Sequence, residues 1–510
     1  MTRTLSRRDF LKLIALGSTA LAARPLASSP KITRDASAPN IFLFIFDAWS
    51  ARHLSLHGYP RETMPNLTRF AERAFVFHNH YSAGNYTVPG TASLLTGVHP
   101  WTHRAVQLTA GGVAPALRGE NLFAALGRSL DTFGYSQNPY ADIFLYQFQD
   151  RLDTYLPHEQ FNLERRLHSS LPVFDSDAQM AFSSLENNIF RDGKGNYGSL
   201  YAGMASRLAG VGRSVVFRKK YSKKYPNGLP VAGGGTFLLE KVVNGAIGEL
   251  ERFDSPTLAY FHFFPPHQPY APKSGYEELF HDDWKPPRKP IHPLSLERFS
   301  EEETLRARLR YDQYLAAWDS EFARLLGYLE ASGLLDTSIV VLTSDHGELF
   351  ERGEIEHITS LLADPVVHIP LLVSLPGQTQ RKDIRAFTSS VDVLPTLAHL
   401  VGAEPPAWAE GTLLPGLGGK EDDERSVYSI EAKTSSSFSA FEKLSISIAK
   451  RRHRLIYYQY PRHSGFELYD MDNDPEEMND LYPSSPALAE ELKREALQKI
   501  EEFNAPYRSP

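Results

Sequence analysis

The window Asn85-Tyr86-Thr87-Val88-Pro89-Gly90-Thr91-Ala92-Ser93-Leu94-Leu95-Thr96-Gly97 holds the residue best placed to do chemistry. Thr87 stands just ahead of a predicted helix, and Pro89 in the first turn has a preset dihedral and needs no amide partner. Free backbone N–H groups at such a helix start favour anions. A threonine alkoxide and a tetrahedral phosphate or sulfate would both be stabilised there, provided a metal lowers the proton affinity of the hydroxyl. The competing reading is a plain threonine N-cap, a common use of this residue.

Three apolar runs must position the partners of such a nucleophile. Asn40-Ile41-Phe42-Leu43-Phe44-Ile45-Phe46 stops at Asp47, and Ser338-Ile339-Val340-Val341-Leu342-Thr343 runs on into Ser344-Asp345-His346-Gly347. Leu258-Ala259-Tyr260-Phe261-His262-Phe263-Phe264 precedes Pro265-Pro266-His267. Uninterrupted runs of this length read as parallel strands buried on both faces. In open α/β sheets the ligand site lies beyond the carboxyl ends of the strands, so three strand ends offer polar groups to one place. Leu315, Trp318, Phe322, Leu325 and Leu329 recur at helical spacing before the second run, and Gly333 closes that helix.

This rhythm predicts an α/β fold. Residues 152–235 break it with glycine-rich and basic pieces and read as an insertion over the sheet edge. Past Gly402 a Pro- and Gly-rich passage leads to alternating apolar residues and a helix from Ala487 to Phe503. Residues 403–510 therefore read as a small C-terminal α+β subdomain.

The composition narrows the class. Of 510 residues 42% are hydrophobic and 23% charged, which suits a globular chain with a sizeable core. A formal net charge of -7 argues against a protein that coats nucleic acid. The absence of cysteine excludes disulfides, thiolate metal sites and a cysteine nucleophile. At the start, Ser6-Arg7-Arg8-Asp9-Phe10-Leu11-Lys12 precedes an apolar stretch, Leu13 to Ala23, with cleavage candidates after Ala23 and Ala27. Residues 1–27 thus resemble a twin-arginine export signal, and the stretch falls short of the roughly 20 apolar residues of a membrane span. The expected location is the periplasm or the exterior, with no stable transmembrane segment after cleavage.

The Thr87 window resembles the signature of the sulfatase family in the alkaline phosphatase-like superfamily, where a cysteine, a proline two places on and a Ser-Leu-Leu-Thr-Gly ending surround the nucleophile. Further blocks follow in family order: Asp47, Pro65-Asn66-Leu67, Pro266-His267-Gln268-Pro269-Tyr270, Thr343-Ser344-Asp345-His346-Gly347-Glu348, Val391-Asp392-Val393-Leu394-Pro395-Thr396 and Glu467-Leu468-Tyr469-Asp470. The resemblance implies a sandwich with a central, mostly parallel sheet flanked by helices over residues 38–402. It also implies that Asp47, Asp345 and His346 bind one divalent cation, with Thr87 completing the site on the substrate side. Two carboxylates and an imidazole suit zinc or manganese; calcium is the alternative, but Ala48 stands where calcium-dependent members often carry another aspartate. His267 and His357 would contact nonbridging oxygens or protonate the leaving oxygen. His99, His368 and Glu348 read as scaffold.

The chain departs from the family at three points. Family sulfatases convert a cysteine or serine to an aldehyde, and Thr87 stands in its place; Thr91 occupies the position of the signature arginine; and no Gly-Lys-x-His block is present. The resulting expectation is an exported hydrolase or transferase that attacks phosphate or sulfate esters of a small molecule or headgroup through a covalent Thr87 intermediate. The alternatives are a sulfuric ester hydrolase working by another route, and a catalytically silent binder of an anionic glycan or lipid headgroup. The residues imply no nucleic-acid partner and leave the oligomeric state open.

Overall fold

A computed structural model of the chain describes residues 38–508 apart from 109–111, 164–211, 213–214, 234 and 296–297. The expected export signal over residues 1–27 and most of the expected insertion lie outside the described residues.

Asn40–Phe46 forms β1, and its surroundings explain a run that is apolar without alternation. Phe42, Phe44 and Phe46 enter one hydrophobic cluster, while Ile41, Leu43 and Ile45 enter a second on the opposite face. A strand covered on both sides has no position for a polar residue until it ends. In chain order the sheet continues with β2 (Phe75–Tyr81), β3 (Asp131–Ser136), β4 (Thr154–Leu156), β5 (Thr257–Phe263), β6 (Ser338–Thr343), β7 (Leu371–Ser374) and β8 (Lys382–Ser389). The eight strands are ordered β8-β2-β7-β6-β1-β5-β3-β4. Both neighbours of β1 run parallel to it, placing Ile45 opposite His262 on β5 and Thr343 on β6. Only β7 runs against its neighbours. The edge strand β4 lies at the start of the stretch set aside as an insertion, and it extends the sheet by pairing in parallel with β3.

The helices that matter here are α1 (Pro65–Ala71), α2 (Thr87–Thr96), α3 (Pro139–Gln147), α4 (Leu239–Leu250), α5 (Glu301–Ala331), α6 (Val393–Leu400) and α7 (Pro486–Asn504). On one face α5 packs its Trp318 and Phe322 edge-on against Phe46, with ring centroids 5.4 and 4.7 Å away. On the other face α2 and α6 bring Leu94, Leu95, Leu394 and Leu397 against Ile41 and Leu43. A capping box between Ser300 and Glu303 starts α5, and Gly333 follows it in the left-handed region at φ 73°. Asp319 on α5 accepts the Asn66 and Leu67 amides at 3.0 Å, so Pro65-Asn66-Leu67 is the first turn of α1, moored to α5.

A second, four-stranded antiparallel sheet holds β9 (Val427–Glu431), β10 (Leu444–Lys450), β11 (His453–Tyr460) and β12 (His463–Asp470) in sequential order. Ile446, Ile448, Leu455 and Leu468 pack there against Leu492, Ala496 and Ile500 of α7. The Ile430 amide donates to the Ala83 carbonyl at 2.9 Å and Ser429 Oγ to the Ser82 carbonyl at 2.6 Å, so this sheet braces the loop that leads into α2. Among the described residues no helix is long and apolar enough to cross a membrane.

Candidate metal centre and nucleophile

Helix α2 begins at Thr87 itself, with Tyr86 as an N-cap whose side chain makes no capping bond. Thr87 is therefore not an N-cap. Its hydroxyl instead accepts a hydrogen bond from Asn138 Nδ2 at 3.2 Å and lies 3.3 Å from His346 Nε2. The first turn of α2 is pressed onto the loop after β6: Ser82 Oγ donates to the Asp345 carbonyl at 2.5 Å, and a Cβ on Gly90 would sit 2.1 Å from that same oxygen. Gly90→Ala is accordingly expected to cost about 1–3 kcal/mol of overpacking and to move Thr87 away from His346. Thermal unfolding should show a midpoint lower by several degrees, together with reduced turnover; an unchanged midpoint would mean that α2 yields freely.

The strand ends β1 and β6 deliver the acidic groups. Ser344 ties the two loops together, donating to the Phe46 carbonyl at 2.6 Å and accepting the Trp49 amide at 3.0 Å. Ala48 takes the left-handed conformation at φ 59°, which turns the chain sharply just after Asp47. Asp345 Oδ1 accepts the His346 amide at 3.0 Å and the Ala48 amide at 3.4 Å, while Asp47 Oδ2 accepts from Asn138 Nδ2 and from His262 Nε2 at 3.2 Å. The other two carboxylate oxygens, Asp47 Oδ1 and Asp345 Oδ2, are buried and unpartnered. His346 Nε2 lies 3.4 and 3.6 Å from them. Its Nδ1 donates to the Gly347 carbonyl at 2.8 Å, which leaves the lone pair on Nε2.

Asp47, Asp345 and His346 each offer a ligand atom, all within 4.8 Å of one another, and with two orphaned carboxylate oxygens they form a group that could hold a divalent cation. The electrostatics agree. Burial and the charge of Asp47 raise Asp345; burial would raise Asp47 too, but His267, His262 and His346 hold it well below the usual carboxylate range. Against its own burial, His346 is pushed up to about 9 by Asp345 and Asp47, so without an ion Nε2 carries a proton that an incoming cation would displace to reach its lone pair. Such paired, uncompensated buried acids gather positive charge.

Two further imidazoles complete the site. The rings of His267 and His357 are 4.8 Å apart, and that of His357 is 4.2 Å from His346. His267 Nδ1 donates to the Gln268 carbonyl at 2.7 Å, and His357 Nδ1 lies 2.9 Å from Glu348 Oε1. Burial pushes Glu348 up to about 7, against the pull of His267 and His346, and drives His357 well down. Glu348, read from the sequence as scaffold, thus holds a candidate catalytic histidine. His99 and His368 pair with Glu410 and Asp364, respectively.

All residues expected at the site meet there. Asn138 and His262 join them unforeseen. Asn138 reads in the sequence only as an N-cap before Pro139, and its Oδ1 does accept the Tyr140 amide at 2.8 Å. His262 carried a usable signal, since it is the one imidazole inside an otherwise apolar, doubly buried strand.

The sulfatase family model matches residues 39–403, well over half of the chain. The chain belongs to the sulfatase family. A second model, for the C-terminal part of N-sulphoglucosamine sulphohydrolase, matches residues 359–505. Among curated relatives, the multifunctional alkaline phosphatase superfamily protein PehA of Trinickia caryophylli is 24% identical over 90% of this chain and 94% of its own length. An ulvan-active sulfatase of Formosa agariphila is 23% identical over 97% of this chain and 88% of its own. The solved phosphonate monoester hydrolase of Agrobacterium radiobacter superposes with a TM-score of 0.63 at 18% identity, covering 92% of this chain and 96% of that one. The sulfatase fold is thereby shown, and these relatives make the chain an ester-hydrolysing enzyme.

Proposed function

We propose that this enzyme hydrolyses, or transfers the phosphoryl group of, a singly charged phosphorus ester through a covalent Thr87 intermediate. The observation that carries this reading is the Thr87 hydroxyl, held 3.3 Å from His346 Nε2 at the first turn of α2. Asp47, Asp345 and His346 would hold the divalent ion, with zinc or manganese favoured by the mixed oxygen and nitrogen donors. When bound, such an ion would supply Lewis acidity that lowers the proton affinity of the Thr87 hydroxyl.

Thr87 Oγ first loses its proton to bulk water; the alkoxide then forms a bond to phosphorus as the bond to the leaving oxygen breaks, and that oxygen takes a proton from His357 Nε2. The hydrogen bond from Asn138 Nδ2 stabilises the attacking oxygen as it loses that proton. With a proton between Glu348 and His357 Nδ1, His357 keeps Nε2–H for the leaving oxygen, and His267 serves a nonbridging oxygen. Water or an acceptor alcohol then cleaves the Thr87 ester, returning the hydroxyl.

Charge selects the substrate class. The charged groups acting most strongly on Asp47, Asp345, His346 and Glu348 are carboxylates and imidazoles; among the described residues no Lys or Arg figures there. A divalent ion balances Asp47 and Asp345 alone. A doubly charged phosphate monoester would bring two uncompensated charges into the site, and a diester, a phosphonate monoester or a sulfate monoester only one; Thr87, in place of the residue that family sulfatases convert, is what favours phosphorus over sulfate. One structural neighbour is named a phosphonate monoester hydrolase, which fits this class, while the ulvan-active relative is named a sulfatase. The pair Arg7-Arg8 before the apolar stretch supports export to the periplasm or beyond in folded, metal-loaded form.

The test is turnover of p-nitrophenyl esters by the metal-reconstituted protein. Phosphodiester and phenylphosphonate should be cleaved at least about 10-fold faster than the phosphate monoester at equal concentration. Sulfate turnover above all phosphorus esters would favour the sulfuric ester route instead. No turnover despite bound metal would favour the silent anion binder.

A further inference from the structure

We propose that Tyr260 and His262 form a buried positioning relay that sets how tightly the Asp47–Asp345–His346 group holds its ion. The inference rests on the metal-site reading above and not on the Thr87 chemistry. Both residues lie on β5 two places apart, so their side chains share one face of the sheet, and neither has any solvent exposure. Tyr260 Oη is 3.0 Å from His262 Nδ1, and His262 Nε2 is 3.2 Å from Asp47 Oδ2 and 3.7 Å from Asp345 Oδ2.

The directions of these bonds follow from the end of the chain. An ionised carboxylate only accepts, so His262 Nε2 carries a hydrogen, and in the singly protonated ring Nδ1 is then an acceptor. The Tyr260 hydroxyl must then donate to Nδ1. Both nitrogens of a wholly buried imidazole are satisfied, which avoids the penalty of an unpaired buried polar group. Two donors, Asn138 Nδ2 and His262 Nε2, now occupy Asp47 Oδ2. This fixes the carboxylate plane and presents Oδ1, the orphaned oxygen, toward His346 and Asp345.

The relay also lies where the family signature changes in this chain. Thr91, at the position of the signature arginine, is buried beside Tyr260. The signature's fixed cation there gives way to the Thr91 hydroxyl, and Tyr260 and His262 orient Asp47 from the neighbouring strand. Removing the Tyr260 hydroxyl frees His262 to take the other tautomer. Its Nε2 lone pair would then face Asp47 Oδ2 and turn the carboxylate away.

The experiment is calorimetric titration of Mn2+ and Zn2+ into the chelator-stripped full-length protein, with no ester present. Tyr260→Phe, which deletes one oxygen, should weaken binding about 10- to 100-fold while the metal-free melting midpoint stays within a few degrees of wild type. His262→Leu should weaken it at least as much, and His262→Gln, whose amide can still donate to Asp47, should recover most of the loss. Wild-type affinity in Tyr260→Phe would overturn the relay even if His262→Leu failed to fold. Wild-type protein that bound neither ion would instead overturn the metal-site reading itself, whatever esters it cleaves.

Discussion

Thr87→Ala is expected to lower turnover of phosphorus esters by at least about 10⁴-fold, because it removes the atom that bonds to phosphorus. Affinity for the divalent ion should change only a few-fold, since the two free carboxylate oxygens and His346 Nε2 stay in place. Thr87→Ser keeps the hydroxyl and gives up the branched methyl that restricts its rotamer. Part of the rate should survive in it. Intact-mass analysis of the acid-quenched wild type during turnover should show one added phosphoryl or phosphonyl group, mapped by fragmentation to Thr87. Full activity in Thr87→Ala, or an adduct on another residue, would assign the nucleophile elsewhere. The prediction is sharp because Thr87 Oγ is held by Asn138 and faces His346, with no capping duty to confuse the result.

Asp345→Asn should change the sign of its effect on stability when metal is added. Burial and the neighbouring Asp47 raise the Asp345 carboxyl. In the metal-free protein a carboxyl raised above its unfolded value of 3.8 loses stabilising power as pH climbs past that value, because the unfolded chain then releases a proton that the folded chain retains. A neutral amide removes this term, so stripped Asp345→Asn should melt higher than stripped wild type at neutral pH, with the gap closing toward pH 4. With metal the order inverts. An ion at 100 times its dissociation constant stabilises the wild type by about 2.7 kcal/mol, and the variant, with one anionic ligand fewer, should gain almost none of this and lose nearly all turnover. Equal melting shifts with metal in both proteins would exclude Asp345 from the ion site.

Much of this was legible in the sequence where a single segment carried the information. The β1 and β6 runs announced doubly buried strands, because every residue had to be apolar before Asp47 and Asp345 could stand at the ends. The period of Leu315, Trp318, Phe322, Leu325 and Leu329 located the core face of α5. What stayed hidden was decided by side chains from different segments. Asn138 reaches Thr87 and Asp47 only because β3 lies two strands from β1, a pairing its six residues do not encode. Glu348 gains its role from His357, nine residues on, across a turn whose geometry the sequence leaves open. The three residues of β4 were too few to show a period, so the sheet edge was hidden within a stretch that reads as irregular.

The order in which the chain emerges from the ribosome gives the site a history. Ala48 and Asp345, whose groups meet at the candidate ion site, are 297 residues apart. Until β6 is made and pairs with β1, the growing polypeptide owns a threonine, an asparagine and one carboxylate, but no place for a cation. Such distant pairing forms late and slowly. An ion held by Asp47, Asp345 and His346 would therefore report that the chain has been made through residue 346 and that β1 and β6 have paired, with β7, β8 and the second sheet still to follow.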